Sequence, residues 1–235
     1  MLHPNKPCFL CVSSKCNSFE RSENVIYDII CRKSTVKYLG LNIDDGLKFN
    51  THIDYLKTKL SRLSGVSYRL RDRFNRATAL KFYYACVYSL LTYCMPVYGG
   101  ALTSHRGDVL AKTHGRIVKN LFQPTSHNRC PFKMNRLLKL NDIHKLYAGV
   151  HMYRVIVEGG NAVVADTISL QTATHPYDTR QRNDLRTPYP RVEAIRKCYK
   201  SQFIKIWNEI PDNVKISSSL RVFKHTLTDH LIETY

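Results

Sequence analysis

No stretch of this sequence approaches the roughly 18 consecutive apolar residues that a membrane-spanning helix needs, and so no membrane span is expected. The opening segment, MLHPNKPCFLCVSSK, lacks a basic run followed by a long apolar core, so a secretory signal is not expected either. Eight cysteines in 235 residues are too sparse and irregular for a disulfide scaffold, which favours a reducing, intracellular location. There is no internal repeat, no glycine-rich loop that could cradle phosphates and no nucleophile elbow. The ten histidines are scattered, which suits surface or packing roles better than a ligand cluster.

Acidic residues are also scarce. Lys plus Arg number 36 against 18 Asp plus Glu, a net charge of +18. Such an excess points to a polyanionic partner, nucleic acid before anionic membrane. The hydrophobic fraction of 43% is ordinary for a globular chain, and the length has room for one or two domains.

Residues 1–48 read as β-rich. Cys8 to Val12, Val25 to Cys31 and Val36 to Ile43 are strand candidates, and a three-stranded antiparallel piece is their natural assembly. Cys8, Cys11 and Cys16 invite a zinc reading, but the remaining ligand spacing is wrong, and thiols packed in strands are favoured. Asp44-Asp45-Gly46 is a turn signal. Paired carboxylates are ligands that Mg²⁺ prefers, but here they read as a solvated turn.

Asn50 or Thr51 is placed to cap a helix with Ile53, Leu56, Leu60, Leu63 and Leu70 along one side. Arg62, Arg69 and Arg73 fall opposite, with Lys57 and Lys59 adding charge nearby. A second helix is expected from about Thr78 to Tyr93, with Leu80, Tyr84, Val87 and Leu91 on one side. Pro96 and Gly99-Gly100 stop it. A third helix, about Arg106 to Phe122, carries Arg116-Ile117-Val118-Lys119. Residues 123–129 read as a linker. A second helical unit follows, with Leu137, Leu138, Leu140, Ile143 and Leu146 extended by Val150, Tyr153 and Ile156. Residues 161–192 read as a loop. Beyond it, Ile195, Tyr199, Phe203, Ile206 and Ile210 form an amphipathic helix stopped by Pro211. Ser218 is placed to cap a last helix bearing Leu220, Phe223, Leu227 and Leu231. The fold class is therefore mainly α with a small antiparallel β piece at the N-terminus.

Several of these segments, in this order, resemble the reverse transcriptases of non-LTR (LINE-type, jockey-like) retrotransposons. Asn5-Lys6 resembles the polymerase motif that follows the catalytic aspartates, although Pro7 replaces the usual threonine. Tyr38-Leu39-Gly40, Asp44, Leu47, Phe49 and His52 resemble the passage from the last palm strand to the thumb. Leu91 to Leu102 resembles the family's tyrosine-glycine and tryptophan-glycine corner, with Cys94 and Tyr98 replacing the glycine and the tryptophan. The Arg116–Lys119 run, the segment His175 to Arg180, Trp207-Asn208-Glu209-Ile210-Pro211 and Phe223-Lys224 match later family features.

The resemblance implies a tail of the palm in 1–48, a thumb-like basic helical bundle in 49–124 and a C-terminal helical region in 125–235. It implies a primer–template partner, an RNA/DNA duplex, held through phosphates by Lys57, Lys59, Arg62, Arg69, Arg73, Arg116 and Lys119. Lys6 is a candidate acid for the pyrophosphate leaving group. The family's Mg²⁺ belongs to an aromatic-x-Asp-Asp turn that these residues do not contain. No cofactor and no autonomous polymerase activity are therefore expected here, and the N-terminal polymerase domains are missing partners. Two alternatives stay open: a stand-alone nucleic-acid-binding module and a zinc-containing interaction domain, either one derived from a retroelement.

Overall fold

The computed structural model describes residues 8–10, 31–122, 130–160, 168, 184–187 and 199–235. The architecture is mainly helical with a small strand region at its start. The strands depart from the expected three-stranded piece. β1 (Cys8–Phe9) pairs with β2 (Cys31–Arg32) in parallel, while β3 (Thr35–Tyr38) and β4 (Leu41–Asp44) form a separate antiparallel hairpin. The third strand candidate is thus folded in two. Leu39 and Gly40, with φ of 46° and 86°, take the two central turn positions between Tyr38 and Leu41. Positive φ at both positions is the tight hairpin turn whose twist matches that of the strands. Residues 11–30 of the expected β piece lie outside the described residues.

Helix α1 (Asn50–Leu70) follows. Its first residue is not capped by Asn50 or Thr51. Phe49 precedes it in the left-handed conformation, without a side-chain cap. Asp44 does the capping from upstream. Its carboxylate accepts the Lys48 amide at 2.7 Å and the Asn50 amide at 3.2 Å. A carboxylate there satisfies otherwise orphaned donors and sits favourably at the positive end of the helix dipole.

The expected second helix is divided. α2 (Arg76–Phe82), capped by the Asn75 side chain, runs into a π-helical turn, Tyr83–Tyr88, and then α3 (Ser89–Thr92). Ala79, Tyr83, Val87 and Leu91 are its buried residues. A strict four-residue repeat drifts around an ordinary α-helix, and the wider π turn offsets part of that drift. Leu80 is consequently only half-buried and Tyr84 is 48% exposed, unlike the expected stripe. α4 (Met95–Tyr98) and a 3₁₀ turn (Gly99–Thr103) lead into α5 (His105–Phe122).

α1 and α5 run side by side in the same direction. Asp54 and Arg106, both near the starts of their helices, form an ion pair. Near the ends, the Asn120 amide donates to the Ser64 carbonyl at 3.3 Å and to the Ser67 hydroxyl at 3.2 Å. The small side chains of Ser64 and Ser67 let the two helices approach closely there.

The later helices wrap around α7 (Leu140–Ile156), which follows the short α6 (Pro131–Met134). α8 (Tyr199–Glu209) and α10 (Leu220–Glu233) both pack on α7, with α9 (Asp212–Lys215) between them. Trp207 of α8 is buried, its ring 5.9 Å from that of Phe223, which stacks on Tyr153 of α7 at 4.6 Å. Ser219, not Ser218, caps α10, accepting the Val222 amide. Within the expected 161–192 loop, the described Leu185 is buried. Asn208 donates to its carbonyl at 2.9 Å and accepts its amide at 3.0 Å, pairing with it as a strand neighbour would. One contiguous hydrophobic cluster runs from Leu41 to Ile232, so helices on both sides of residues 123–129 share a core.

Candidate nucleic-acid interface

α1 buries His52, Ile53, Leu56, Leu60, Ser64 and Ser67. Lys57, Lys59, Arg62 and Arg69 are all exposed. Arg62 and Arg69 are seven residues apart, so they project from nearly the same side of the helix, about 10 Å apart along its axis. Arg73 does not continue that face. α1 stops at Leu70, and Arg73 sits in the turn that follows, its amide bonded to the Leu70 carbonyl. Leu63 and Leu70, expected in the buried stripe, are only half-buried.

On α5, Arg116 and Lys119 are exposed, while Ile117 and Val118 between them are fully buried. Lys112, one turn before Arg116, is also exposed and extends the same face, a spacing of four that the sequence shows and the motif search passed over. Because α1 and α5 are parallel and bury adjoining sides, their solvent faces look to the same side of the pair.

The face carries little neutralising charge. Lys57, Arg62, Arg69, Arg116 and Lys119 have no ion-pair partner among the described residues. Asp54 is held by Arg106. Lys57 and Arg62 line one shallow concavity with Asp54, Thr58 and Ser61, so two cations and two hydroxyl donors converge on one spot. Lys59 lies over the Tyr55 ring at 5.5 Å. Arg71, a turn beyond Lys57 and Arg62 in this arm of the chain, is instead engaged by Asp72 at 3.2 Å, which raises its pKa.

Beneath the face the titratable groups are neutral. His52 on α1 and His114 on α5 are 1% exposed, and burial lowers each to a pKa of about 4. The positive charge therefore comes from the exposed lysines and arginines.

The remaining predicted groups separate. Lys6 lies outside the described residues, as do Cys11 and Cys16 of the zinc reading. Asp44 and Asp45 do not fit a magnesium site, since both Asp44 oxygens already accept backbone amides. Among the described residues, no three His, Cys, Asp or Glu side chains are grouped to hold a metal, and no single helix is long and apolar enough to cross a membrane. Comparison with protein-family models, with curated proteins and with solved structures finds no match to this chain.

Proposed function

We propose that this chain binds a nucleic-acid duplex through its phosphates and acts as a holder of primer–template, as the thumb of the retrotransposon reverse transcriptases it resembles would. The observation that carries the reading is the set of unneutralised cations on the common face of α1 and α5, with Arg62, Arg69, Arg116 and Lys119 at its centre. Arginine forks suit phosphate oxygens in bidentate geometry. A holder along which a duplex slides needs backbone contacts and no base readout. Chemistry on the duplex belongs to magnesium-binding aspartates outside these residues.

The test is a salt titration of binding to a labelled RNA/DNA duplex. Each phosphate contact adds about 0.9 to the log–log slope on B-form DNA. Arg62→Gln/Arg69→Gln should lower the slope by roughly two and weaken all duplex sequences alike. A folded double variant with an unchanged slope would sink the reading. A second reading, a stand-alone nucleic-acid-binding module, is favoured by the single core from Leu41 to Ile232. One cooperative unfolding transition of the isolated chain supports it, and separate transitions count against it.

A further inference from the structure

A second basic surface lies away from the α1–α5 face, in a part of the chain to which the sequence assigned no ligand. Arg221, Lys224, His225 and Thr228 of α10 follow one another at helical spacing on one side. Together with Arg136, from the turn between α6 and α7, they line a concavity of about 570 Å³. Its one carboxylate is Asp229. That side chain is already engaged, by the Arg136 guanidinium and by His225 Nε2 at 3.5 Å. Arg221 and Lys224 have no ion-pair partner among the described residues, so three permanent cations face one neutralised acid.

The concavity is joined to the first face by further arginines. Arg76, three residues beyond Arg73, donates to the Asn135 side chain at 3.1 Å and to the Met134 carbonyl at 3.1 Å. Arg136 is the next residue, held in the left-handed conformation at φ 52°. A basic path thus runs from the end of α1, through Arg73 and Arg76, to Arg136 and α10.

We propose that the concavity on α10 is a second phosphate-binding surface, and that a duplex long enough to leave α1 follows this path onto it. The occupant is a polynucleotide backbone. Its repeating negative charge complements cations spread along a path, whereas a compact free anion would fill only one spot on it. That one duplex spans both surfaces rests on the reading given under Proposed function.

The experiment compares two duplex lengths on the full chain. α1, with 21 residues, is about 32 Å long, which an RNA/DNA duplex of about 10 base pairs covers at ~3.4 Å per step. A duplex of about 25 base pairs runs well past it. Arg221→Gln/Lys224→Gln should lower the salt slope on the long duplex by roughly two and leave the short duplex unaffected. Lys37→Gln/Lys205→Gln removes the same charge at exposed positions outside both surfaces and should change neither slope by more than a few tenths. An unchanged long-duplex slope in the α10 variant, or a fall no larger than in the control, overturns the proposal. If Arg62→Gln/Arg69→Gln has no effect while the α10 variant weakens the long duplex, the α1–α5 reading fails and the α10 surface stands. The reverse pattern removes the α10 surface alone.

Discussion

The Tyr83 hydroxyl lies 3.0 Å from His114 Nε2, in a place that water does not reach. Tyr83 comes from the π turn and His114 from the inner side of α5, and their rings stack at 5.8 Å. Removing the hydroxyl leaves a buried imidazole nitrogen without that partner. Tyr83→Phe should cost about 1–3 kcal/mol, measured by denaturant unfolding. A loss near zero would mean that the nitrogen finds another partner when the hydroxyl is gone.

Stability should fall as the solution is acidified. His52, His114 and His144 are buried, and burial lowers each to a pKa of about 4, against about 6.5 in an unfolded chain. The unfolded state takes up protons first. The histidines therefore favour folding fully above about pH 6.5 and lose that contribution as pH falls toward 4. Each contributes a slope of up to about 1.4 kcal/mol per pH unit in that window. Unfolding free energies at pH 7.5, 6 and 5 should decline steeply in order. Equal stability at pH 7.5 and 5 would show that these imidazoles titrate normally.

Gly99 should not accept a side chain. A Cβ there would overlap the His144 imidazole, which is itself buried. Gly99→Ala should destabilise by about 1–3 kcal/mol through overpacking. In a His144→Ala background the same substitution should cost markedly less, and a double-mutant cycle reads that coupling. Strict additivity would place the strain elsewhere.

Asp44 and Asp45 should differ although they are adjacent. Asp44 accepts two backbone amides at the entry to α1, whereas Asp45 contributes a backbone hydrogen bond, its amide donating to the Ser34 carbonyl. Asp44→Ala should cost about 1–2 kcal/mol, the range for a lost helix cap, and Asp45→Ala should stay within about 0.5 kcal/mol. Matching losses would mean that the pair acts as a unit.

Most helices were legible from apolar spacing and from the residues that stop them, and the buried faces of α1, α5 and α10 are close to those expected. What escaped was set by contacts the local pattern does not contain. The Val36–Ile43 run alternates like one strand, and only Gly40 hints that Leu39 and Gly40 turn it back on itself. The cap on α1 comes from Asp44, six residues before Asn50, a reach that motifs built on adjacent positions miss. The face of α1 was legible in Arg62 and Arg69, but Arg73 was carried along by a periodicity that the helix does not keep past Leu70. The α10 surface was not legible at all, because Arg136 meets Asp229 across 93 residues of sequence.

Burial of Trp207 leads to a larger expected loss. The ring is 5% exposed and touches both Phe223 and the Lys215 ammonium, which lies 5.9 Å from its centre. Trp207→Ala should cost roughly 3–5 kcal/mol in the same unfolding assay, and a cost under about 1 kcal/mol would mean that its neighbours collapse into the space.

The π turn at Tyr83–Tyr88 makes chain length there a matter of register. Such a turn accommodates one residue more than the α-helix around it. Deleting a single residue inside it would let the segment relax to regular helix while rotating everything downstream by about 100°. Leu91 would swing out of the core, and the Tyr98 hydroxyl would lose its bond to the Leu91 carbonyl. A one-residue deletion between Tyr84 and Tyr88 should therefore harm this protein more than the same deletion in the exposed turn at Arg71–Arg73, even though neither removes a charged group from the proposed interface.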